Sequence, residues 1–369
     1  MSLDKQLFPL RLRSNRVWRT YSGGRNLESW QGMGGREDSS FPEEWIASTI
    51  QARNVGREHI IEGLSLIECE EQLSISLKDR IESDPVRYLG IHHTSIYGSQ
   101  TAVLVKALDA GERLTIQVHP DRQFAKEVFQ SNFGKTEAWL VIGGREIDGE
   151  KPSVLLGFKP GITKAHWQDL FERQDIPAML DCLHRVNVQA GDIFLVEGGV
   201  PHAIGIGCFL IEIQEPTDYT LRVERVTPRG HIVPDLACHL GIGFDRMLDA
   251  FHYETMSMEE MLAKWKKQPR LLNEATGGKL FSLINNEDTD RFTMSRIEVS
   301  GRYQTNGTGT FVIAVILSGA GIIHYDGQTF PISQSNQWFI PADVTELIWE
   351  RTSEQRLDVI LCYPPDNNV

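Results

Sequence analysis

Two short runs in the first half of the chain carry metal-binding residue types at strand spacing. In residues 114–119 (LTIQVH), Gln117 and His119 alternate with apolar residues, so both side chains share one face of an extended strand. A second strand-like run, residues 136–141 (TEAWLV), carries Glu137. An amide, an imidazole and a carboxylate that meet in one space can bind a divalent metal. The two runs therefore predict part of a metal site, and the alternative is a polar strand face in a partly hydrated barrel.

Residues 191–202 (GDIFLVEGGVPH) contain a fourth candidate ligand. A Gly-Asp turn leads into an apolar strand, and a Gly-Gly turn followed by Pro201 is expected to direct His202 inward. This order resembles the second sequence motif of cupin barrels, G-x5-P-x-G-x2-H, with Glu197 in the place of the proline. Two histidines, one glutamate and one glutamine form a mixed ligand set that suits Zn²⁺ and tolerates Mn²⁺, Fe²⁺ or Co²⁺.

The same spacing returns near the C-terminus in residues 335–346 (SNQWFIPADVTE). Ser335, Pro341, Asp343 and Glu346 stand at the positions of the motif's glycine, proline, glycine and histidine. No HxH-like pair precedes this run, and only His324 is nearby. These features predict a second cupin that has lost its metal site and packs on, or covers, the first.

Strand signals dominate on both sides of a segment with helical periodicity. We therefore expect a mainly β fold, a double cupin of two jelly-roll β-barrels with short helical insertions. The expected domains are a catalytic N-terminal cupin at 1–240 with a helical insertion at about 162–185, a helical connector at 241–278, and a degenerate C-terminal cupin at 279–369.

Composition excludes several classes of partner. The chain of 369 residues has a net charge of −13, with Lys and Arg scattered singly, which argues against nucleic acid and anionic membranes. No apolar run reaches the roughly 18 residues of a membrane span, and the first residues lack an apolar signal region. The five cysteines form no CxxC pair, which is typical of buried thiols in a reducing cytoplasm. They are Cys69, Cys182, Cys208, Cys238 and Cys362.

Four longer segments occur in the order found in a known enzyme family: LVKALDAGERLTIQVHPD, FGKTEAWLV, GDIFLVEGGVPHAIGIG and EIQEPTDYTLRVE. With weaker matches at PEEWIAS and WFIPAD, they resemble the type I mannose-6-phosphate isomerases, double-cupin enzymes with one metal. The resemblance spans most of the chain. It departs from the family at Leu221, where many members have an aromatic residue, and in VERVTPRG, which lacks the usual acidic-aromatic run.

The resemblance implies roles for ten residues. It assigns one Zn²⁺ per chain, or another divalent metal, to Gln117, His119, Glu137 and His202. It assigns catalysis to Arg222, Lys135, Glu212 and Asp218, and binding of the substrate phosphate to Lys106 and Thr115.

Simpler interpretations of these residues stay open at this stage. Lys106 could be a surface lysine at a strand end, and Lys135 a solvated lysine after a glycine turn. Arg222 and Glu212 could form a structural ion pair. Asp218, in PTDY, could be only a turn residue.

The leading functional hypothesis is a metal-dependent isomerase that interconverts mannose 6-phosphate and fructose 6-phosphate through an enediolate, as a monomer or homodimer. Its expected partner is a small sugar phosphate. One alternative is an isomerase of another sugar or sugar phosphate, and another is a non-catalytic, metal-containing sugar-binding cupin. A third is an iron oxygenase, because two histidines and a carboxylate also form an Fe(II) triad, although Gln117 would fill a position that oxygen chemistry leaves open.

Overall fold

The computed structural model describes residues 6–34, 37–68 and 75–365. The first elements are β1 (Leu10–Arg11), β2 (Arg16–Val17), α1 (Arg25–Trp30), β3 (Glu43–Ile46), β4 (Leu66–Ile67), β5 (Ile75–Ser76), α2 (Leu77–Ser83), α3 (Pro85–Leu89), α4 (Ile91–Tyr97) and β6 (Leu104–Asp109). They are followed by β7 (Gln117–Val118), α5 (Arg122–Phe129), β8 (Glu137–Gly144), β9 (Ser153–Phe158), α6 (Lys164–Arg173), α7 (Ile176–Asp181), β10 (Leu183–Asn187), β11 (Ile193–Val196), β12 (His202–Ile204), β13 (Cys208–Gln214) and β14 (Leu221–Arg222).

The second half begins with α8 (Asp235–His239), α9 (Phe244–Leu248), α10 (Met258–Trp265), β15 (Lys266–Lys267) and β16 (Arg270–Ala275). It continues as strands only: β17 (Gly278–Ile284), β18 (Thr293–Val299), β19 (Arg302–Asn306), β20 (Val312–Ser318), β21 (Ala320–Tyr325), β22 (Gln328–Ser333), β23 (Gln337–Ile340), β24 (Glu346–Arg351) and β25 (Leu357–Tyr363).

The strands form four large antiparallel sheets and the small β4–β5 pair within the described residues. Sheet 1 has the order β15-β11-β8-β13-β6-β3-β2, and sheet 2 the order β10-β9-β12-β7-β14. Sheet 3 has the order β1-β23-β20-β25-β18-β17-β16, and sheet 4 the order β19-β24-β21-β22. The predicted mainly β, cupin-like class is confirmed, with one pair of sheets in each half of the chain.

Sheets 1 and 2 face each other across a shared apolar core, and the candidate site opens from between them. Trp139 and Phe194 of sheet 1 pack with Val154 and Ile204 of sheet 2. The other face of sheet 2 is covered by α6, α7 and α9 through Trp167, Met179 and Met247 among others. Because both faces are buried, β9 is an almost continuous apolar run.

The two halves share a further core between sheets 1 and 3. Val105 and Ile211 of sheet 1 pack in one cluster with Phe339 and Ile360 of sheet 3. Strand β1 strengthens this connection, because it forms the edge of sheet 3 and its Leu10 pairs with Phe339 of β23. Sheets 3 and 4 enclose the fourth large cluster, around Trp349 and Val359.

The helical segments agree only partly with the expected bounds. Helices α6 and α7 lie in the expected insertion at about 162–185. Between 241 and 278, helix extends only to Trp265, so the expectation of a helical connector up to residue 278 is wrong for its last part. All six residues of strand β16 are exposed, so its sequence has no apolar alternation that would predict a strand. The strand forms by pairing with β17.

The four cysteines in the described residues are free and buried, as expected, whereas Cys69 lies outside the described residues. None of the helices in the part of the chain that the structure describes has the length and apolar character needed to cross a membrane.

Candidate active site

Three of the predicted metal ligands converge in the interior. One ligand atom from each of His119, Glu137 and His202 lies within 4.8 Å of the others. The Nε2 atoms of His119 and His202 lie 3.1 Å and 3.4 Å from the two carboxylate oxygens of Glu137. The side-chain amide nitrogen of Gln117 lies 3.2 Å from His202 Nε2. All four predicted ligands are thus brought together.

The facing sheets supply these ligands from opposite sides. Gln117 and His202 are paired neighbours on β7 and β12 of sheet 2, whereas Glu137 begins β8 of sheet 1. Strand β7 is shorter than the predicted run 114–119, and His119 follows it directly. The turn before β12 is held in place because Gly199 N donates to the His119 carbonyl at 2.7 Å.

The histidines are held in the form that binds metals. Nδ1 of His119 donates to the Tyr219 carbonyl at 2.8 Å, and Nδ1 of His202 donates to the Val200 carbonyl at 2.9 Å. These bonds make each Nε2 an acceptor, which faces the Lys135 ammonium in His119 and the Gln117 amide nitrogen in His202. Burial, and then the Lys135 ammonium, lower the pKa of His119 to about 3, and burial lowers the pKa of His202. Both imidazoles are therefore neutral near pH 7, as a metal ligand must be.

The Lys135 ammonium contacts two of these ligands. Its Nζ donates to His119 Nε2 at 2.6 Å and to Glu137 Oε2 at 2.8 Å. Burial acts to raise the pKa of Glu137, but Lys135 and His119 outweigh it and hold this pKa well below its usual range. A metal would use the same lone pairs, so it would compete with the Lys135 ammonium, which also lines the adjoining cavity.

A cavity of about 960 Å³ adjoins the ligand cluster. Its wall contains Gln117 and every residue predicted to act on substrate: Lys106, Thr115, Lys135, Glu212, Asp218 and Arg222. The residues that the sequence associates with chemistry therefore surround one space, which is the candidate active site.

Lys106 and Glu212 pair across β6 and β13 on the cavity floor. The Lys106 ammonium lies 3.5 Å from Glu212 and 3.7 Å from Glu43, above the ring of Trp45. It is only 3% exposed, so the alternative of a surface lysine is wrong. Burial and the charge of Glu137 raise the pKa of Glu212, and its Oε1 has no hydrogen-bond partner among the described residues.

Arg222 lies beside the ligand cluster, opposite Gln117 in the β14–β7 pair. Its Nη1 donates to the carbonyl oxygens of Thr220 and Ala237, and it forms no ion pair with Glu212. The alternative of a structural ion pair between these two residues is therefore wrong. The alternative of a solvated lysine is wrong for Lys135 too, since it is 4% exposed.

Sequence reasoning missed a group of residues from the N-terminal segment. Arg19 binds both oxygens of Asp218 at 3.2 Å and lies 3.0 Å from Glu43, which also accepts bonds from Tyr21 and Trp45. Burial acts to raise the pKa of Asp218, but Arg19 and Lys106 outweigh it and lower this pKa.

Asp218 is thus more than a turn residue. The one signal for the missed group was Glu43 in PEEW, a carboxylate two positions before a strand tryptophan, on the same face.

Comparison with known proteins agrees with this site. No family model matches. The "Probable mannose-6-phosphate isomerase GmuF" of Bacillus subtilis is 26% identical over 276 residues, which are 71% of this chain and 77% of that protein. The mannose-6-phosphate isomerase of Streptococcus mutans is 26% identical over 270 residues, 70% of this chain and 75% of its own. The solved mannose 6-phosphate isomerase from B. subtilis superposes with a TM-score of 0.74 and 19% identity, over 96% of this chain and 99% of that one. The chain is thus homologous with mannose-6-phosphate isomerases and has their cupin-like fold.

Proposed function

We propose that this protein is a metal-dependent aldose–ketose isomerase that interconverts mannose 6-phosphate and fructose 6-phosphate through an enediolate. One observation carries the proposal: the cluster of His119, Glu137 and His202 borders a cavity whose wall also contains Arg222 and Glu212. The homologues named as mannose-6-phosphate isomerases support the same substrate.

The donor set fits a metal. Two neutral imidazoles with fixed Nε2 lone pairs, one carboxylate of lowered pKa and one amide would hold a single Zn²⁺ or a similar divalent ion. Gln117 would bind through its amide oxygen after rotation of the amide, whose nitrogen faces His202 Nε2 in this structure. When bound, the metal supplies Lewis-acid polarisation of a substrate oxygen.

The protein's own groups would perform the proton transfer. Moving a proton between C1 and C2 needs a base that reaches carbon and donors for the oxygen that becomes negative. Glu212 is our candidate base, because its pKa is raised and its Oε1, 3.5 Å from the Lys106 ammonium, accepts no hydrogen bond from the described residues. Both oxygens of Asp218, by contrast, are bonded to Arg19. We assign Asp218 to positioning and ring opening, together with Lys135.

Arg222 would stabilise the oxyanion. Only its Nη1 has hydrogen-bond partners among the described residues, so the other N–H groups are available to a ligand in the cavity. A guanidinium stays charged through the reaction and donates in a fixed plane. Thr115 and Lys106, which line the same cavity, are proposed to contact the substrate.

The alternatives differ in what they leave unexplained. A sugar-binding protein without activity has no use for Arg222, Lys135 and Glu212 in one cavity wall. An iron oxygenase needs open metal positions, and the Gln117 amide beside His202 would fill one of them. An isomerase of another aldose phosphate is the remaining competitor, because Leu221 departs from the family pattern next to Arg222.

Metal analysis combined with an isomerase assay tests the proposal. The purified protein is expected to hold about one Zn²⁺ or other divalent ion per chain, and to convert mannose 6-phosphate into fructose 6-phosphate. A chelator should abolish turnover and added zinc should restore it. Metal-loaded protein that turns over no member of a panel of aldose phosphates would refute the proposal.

The same proposal includes features of the whole protein. We infer a catalytic N-terminal jelly roll, a C-terminal jelly roll without a metal, and a monomer or homodimer in the cytoplasm. The free, buried cysteines at four described positions support the reducing compartment.

A further inference from the structure

Arg19 is a buried part of the cavity wall, and all of its side-chain nitrogens have partners. Each nitrogen lies within 3.2 Å of an oxygen of Asp218, Glu43 or Asn54. The guanidinium carbon lies 5.0 Å from the centroid of the Trp45 ring, so the flat face of the group is covered as well. Contacts on the face and along the edge hold a planar guanidinium in one orientation. Arg19 is therefore a fixed donor.

Charges alternate in a row along the cavity floor. Arg19 Nε lies 3.0 Å from Glu43, and Arg19 also binds Asp218. The Lys106 ammonium lies 3.7 Å from Glu43 and 3.5 Å from Glu212. Arg19 thus lies between Asp218 and Glu43. Because two carboxylates balance its charge, Arg19 has little attraction for an anionic substrate group, and its most direct effect is on Asp218, which it binds with two nitrogens.

The hydrogen bonds to Asp218 leave one acceptor position open. A carboxylate has about four lone-pair sites, two on each oxygen. Oδ2 accepts bonds from Arg19 Nη1 at 3.2 Å and from the Arg53 backbone N–H at 2.8 Å, so both of its sites are used. Oδ1 accepts a bond from Arg19 Nη2 at 3.2 Å and from no other donor among the described residues. Since Asp218 lines the cavity, the remaining site on Oδ1 is available to a hydroxyl group of a bound sugar.

We propose that Arg19 is a positioning residue of the active site, which fixes the Asp218 carboxylate so that its one open acceptor site receives a hydroxyl group of the substrate. The proposal rests on the isomerase function proposed above, and it gives Arg19 no contact with the substrate. A planar guanidinium that binds both oxygens stops rotation of the carboxylate, whereas an ammonium group binds as a single point charge.

Kinetics of zinc-loaded variants on mannose 6-phosphate test this role. In Arg19→Met, kcat/KM should fall about 10- to 100-fold with an increase in KM, because the Asp218 carboxylate is no longer aligned. A merely structural loss would reduce the fraction of active protein, and hence kcat, and would leave KM unchanged. Arg19→Lys should recover only part of the loss, since an ammonium group lacks the fork that binds both oxygens.

Arg16→Met is the matched control. Arg16 forms a similar ion pair, at 3.2 Å, with Glu44 of the same strand β3, but it lies outside the cavity wall. This variant should keep the wild-type KM.

A double-mutant cycle with Asp218→Ala separates action through Asp218 from other effects. Once the Asp218 carboxylate is absent, Arg19→Met should cost little further activity, so the two losses should not add. If Arg19→Met does not fold, Arg19→Lys, which retains the positive charge, takes its place in the cycle. Additive losses, or an unchanged KM in every Arg19 variant, would overturn the proposal while leaving the isomerase function intact.

Calorimetric titration of the same proteins with mannose 6-phosphate distinguishes this outcome from a failure of the isomerase function. If the wild type binds the sugar phosphate without turnover, a non-additive loss of affinity in the cycle still supports the role of Arg19, and additive losses overturn it. Wild-type protein that neither binds nor converts the sugar phosphate overturns both proposals.

Discussion

At the scale of single residues, Arg222 and His202 are neighbours in space with separable roles. Arg222 is the strand neighbour of Gln117, and its side-chain hydrogen bonds within the described residues go to the Thr220 and Ala237 carbonyl oxygens, so Arg222→Ala should leave metal content unchanged. Turnover should fall about 10²- to 10³-fold, the usual cost of removing an oxyanion donor. Metal analysis and steady-state kinetics on one preparation check both parts. Metal loss in this variant would contradict the assignment.

His202→Ala should behave in the opposite way. It removes an Nε2 ligand that lies 3.4 Å from Glu137, so the remaining set should lose metal on dialysis, and activity should disappear with it. Replacement of His324, whose Nε2 pairs with Glu350 at 2.7 Å in sheet 4, is the matched control and should retain the metal. Full zinc occupancy and normal turnover of His202→Ala would show that the ligand set is wrong.

His252 and Asp121 form a partly exposed pair that should make stability depend on pH. The hydrogen bond from His252 Nε2 to Asp121, at 2.9 Å, raises the pKa of His252 and lowers that of Asp121. A histidine whose pKa is raised in the folded protein stabilises the fold fully at pH values below its pKa in the unfolded chain, about 6.5. This stabilisation is lost as the pH rises through the pKa of the folded protein. The Asp121 contribution is lost as pH falls through its own lowered pKa.

His252→Gln should therefore lower Tm at a pH of about 5.5 more than at a pH of about 9. The loss should correspond to less than about 1 kcal/mol, because the pair is solvated. Thermal melts of both proteins across this range provide the measurement, and a difference that does not vary with pH would contradict the linkage.

At the scale of elements, the turn between β11 of sheet 1 and β12 of sheet 2, which leads into His202, depends on Gly199. Its φ is +88°, and a Cβ there would lie 2.4 Å from the His252 ring. Gly199→Ala should distort the turn and weaken metal binding about 10-fold or more, because ligands must be held in place by their supporting shell. Gly191 lies before β11 at φ +97°, and a Cβ there would meet open space. Gly191→Ala should therefore lose some stability and keep metal affinity, and equal metal affinities in the two variants would argue against the role of the turn at Gly199.

At the scale of the whole molecule, the two strand-rich halves should unfold as one unit. Phe339 of sheet 3 is fully buried in the core that sheets 1 and 3 share, and it pairs with Leu10 near the N-terminus. Phe339→Ala should cost about 3–5 kcal/mol and lower a single transition. Circular dichroism and zinc release, followed on heating, should coincide. Separate transitions for the two signals would show that the halves are independent.

Much of the site could be predicted because residues close together in the sequence define its ligands. The QxH pair, the glutamate of GKTE and the histidine after a Gly-Gly turn are local patterns in strands and turns, and the structure brings all four side chains together. The bounds of the helical connector were predicted less accurately than the site. The exposed strand β16 has no apolar periodicity of its own and forms by pairing with β17, so sequence periodicity could not separate it from the helical segment before it.

The sequence alone determined which side chains could bind a metal, since alternation and turns decide which face a residue takes. Only the tertiary structure decided the surroundings of these groups. It placed Arg19 on Asp218, a contact between positions 199 residues apart, and enclosed Lys106 between two carboxylates. It also left Arg53 and Arg222 as the two cavity-lining cations without an ion pair to any described residue. Charge pairing and burial depend on distances between strands and loops that are remote in the chain, and no local pattern encodes those distances.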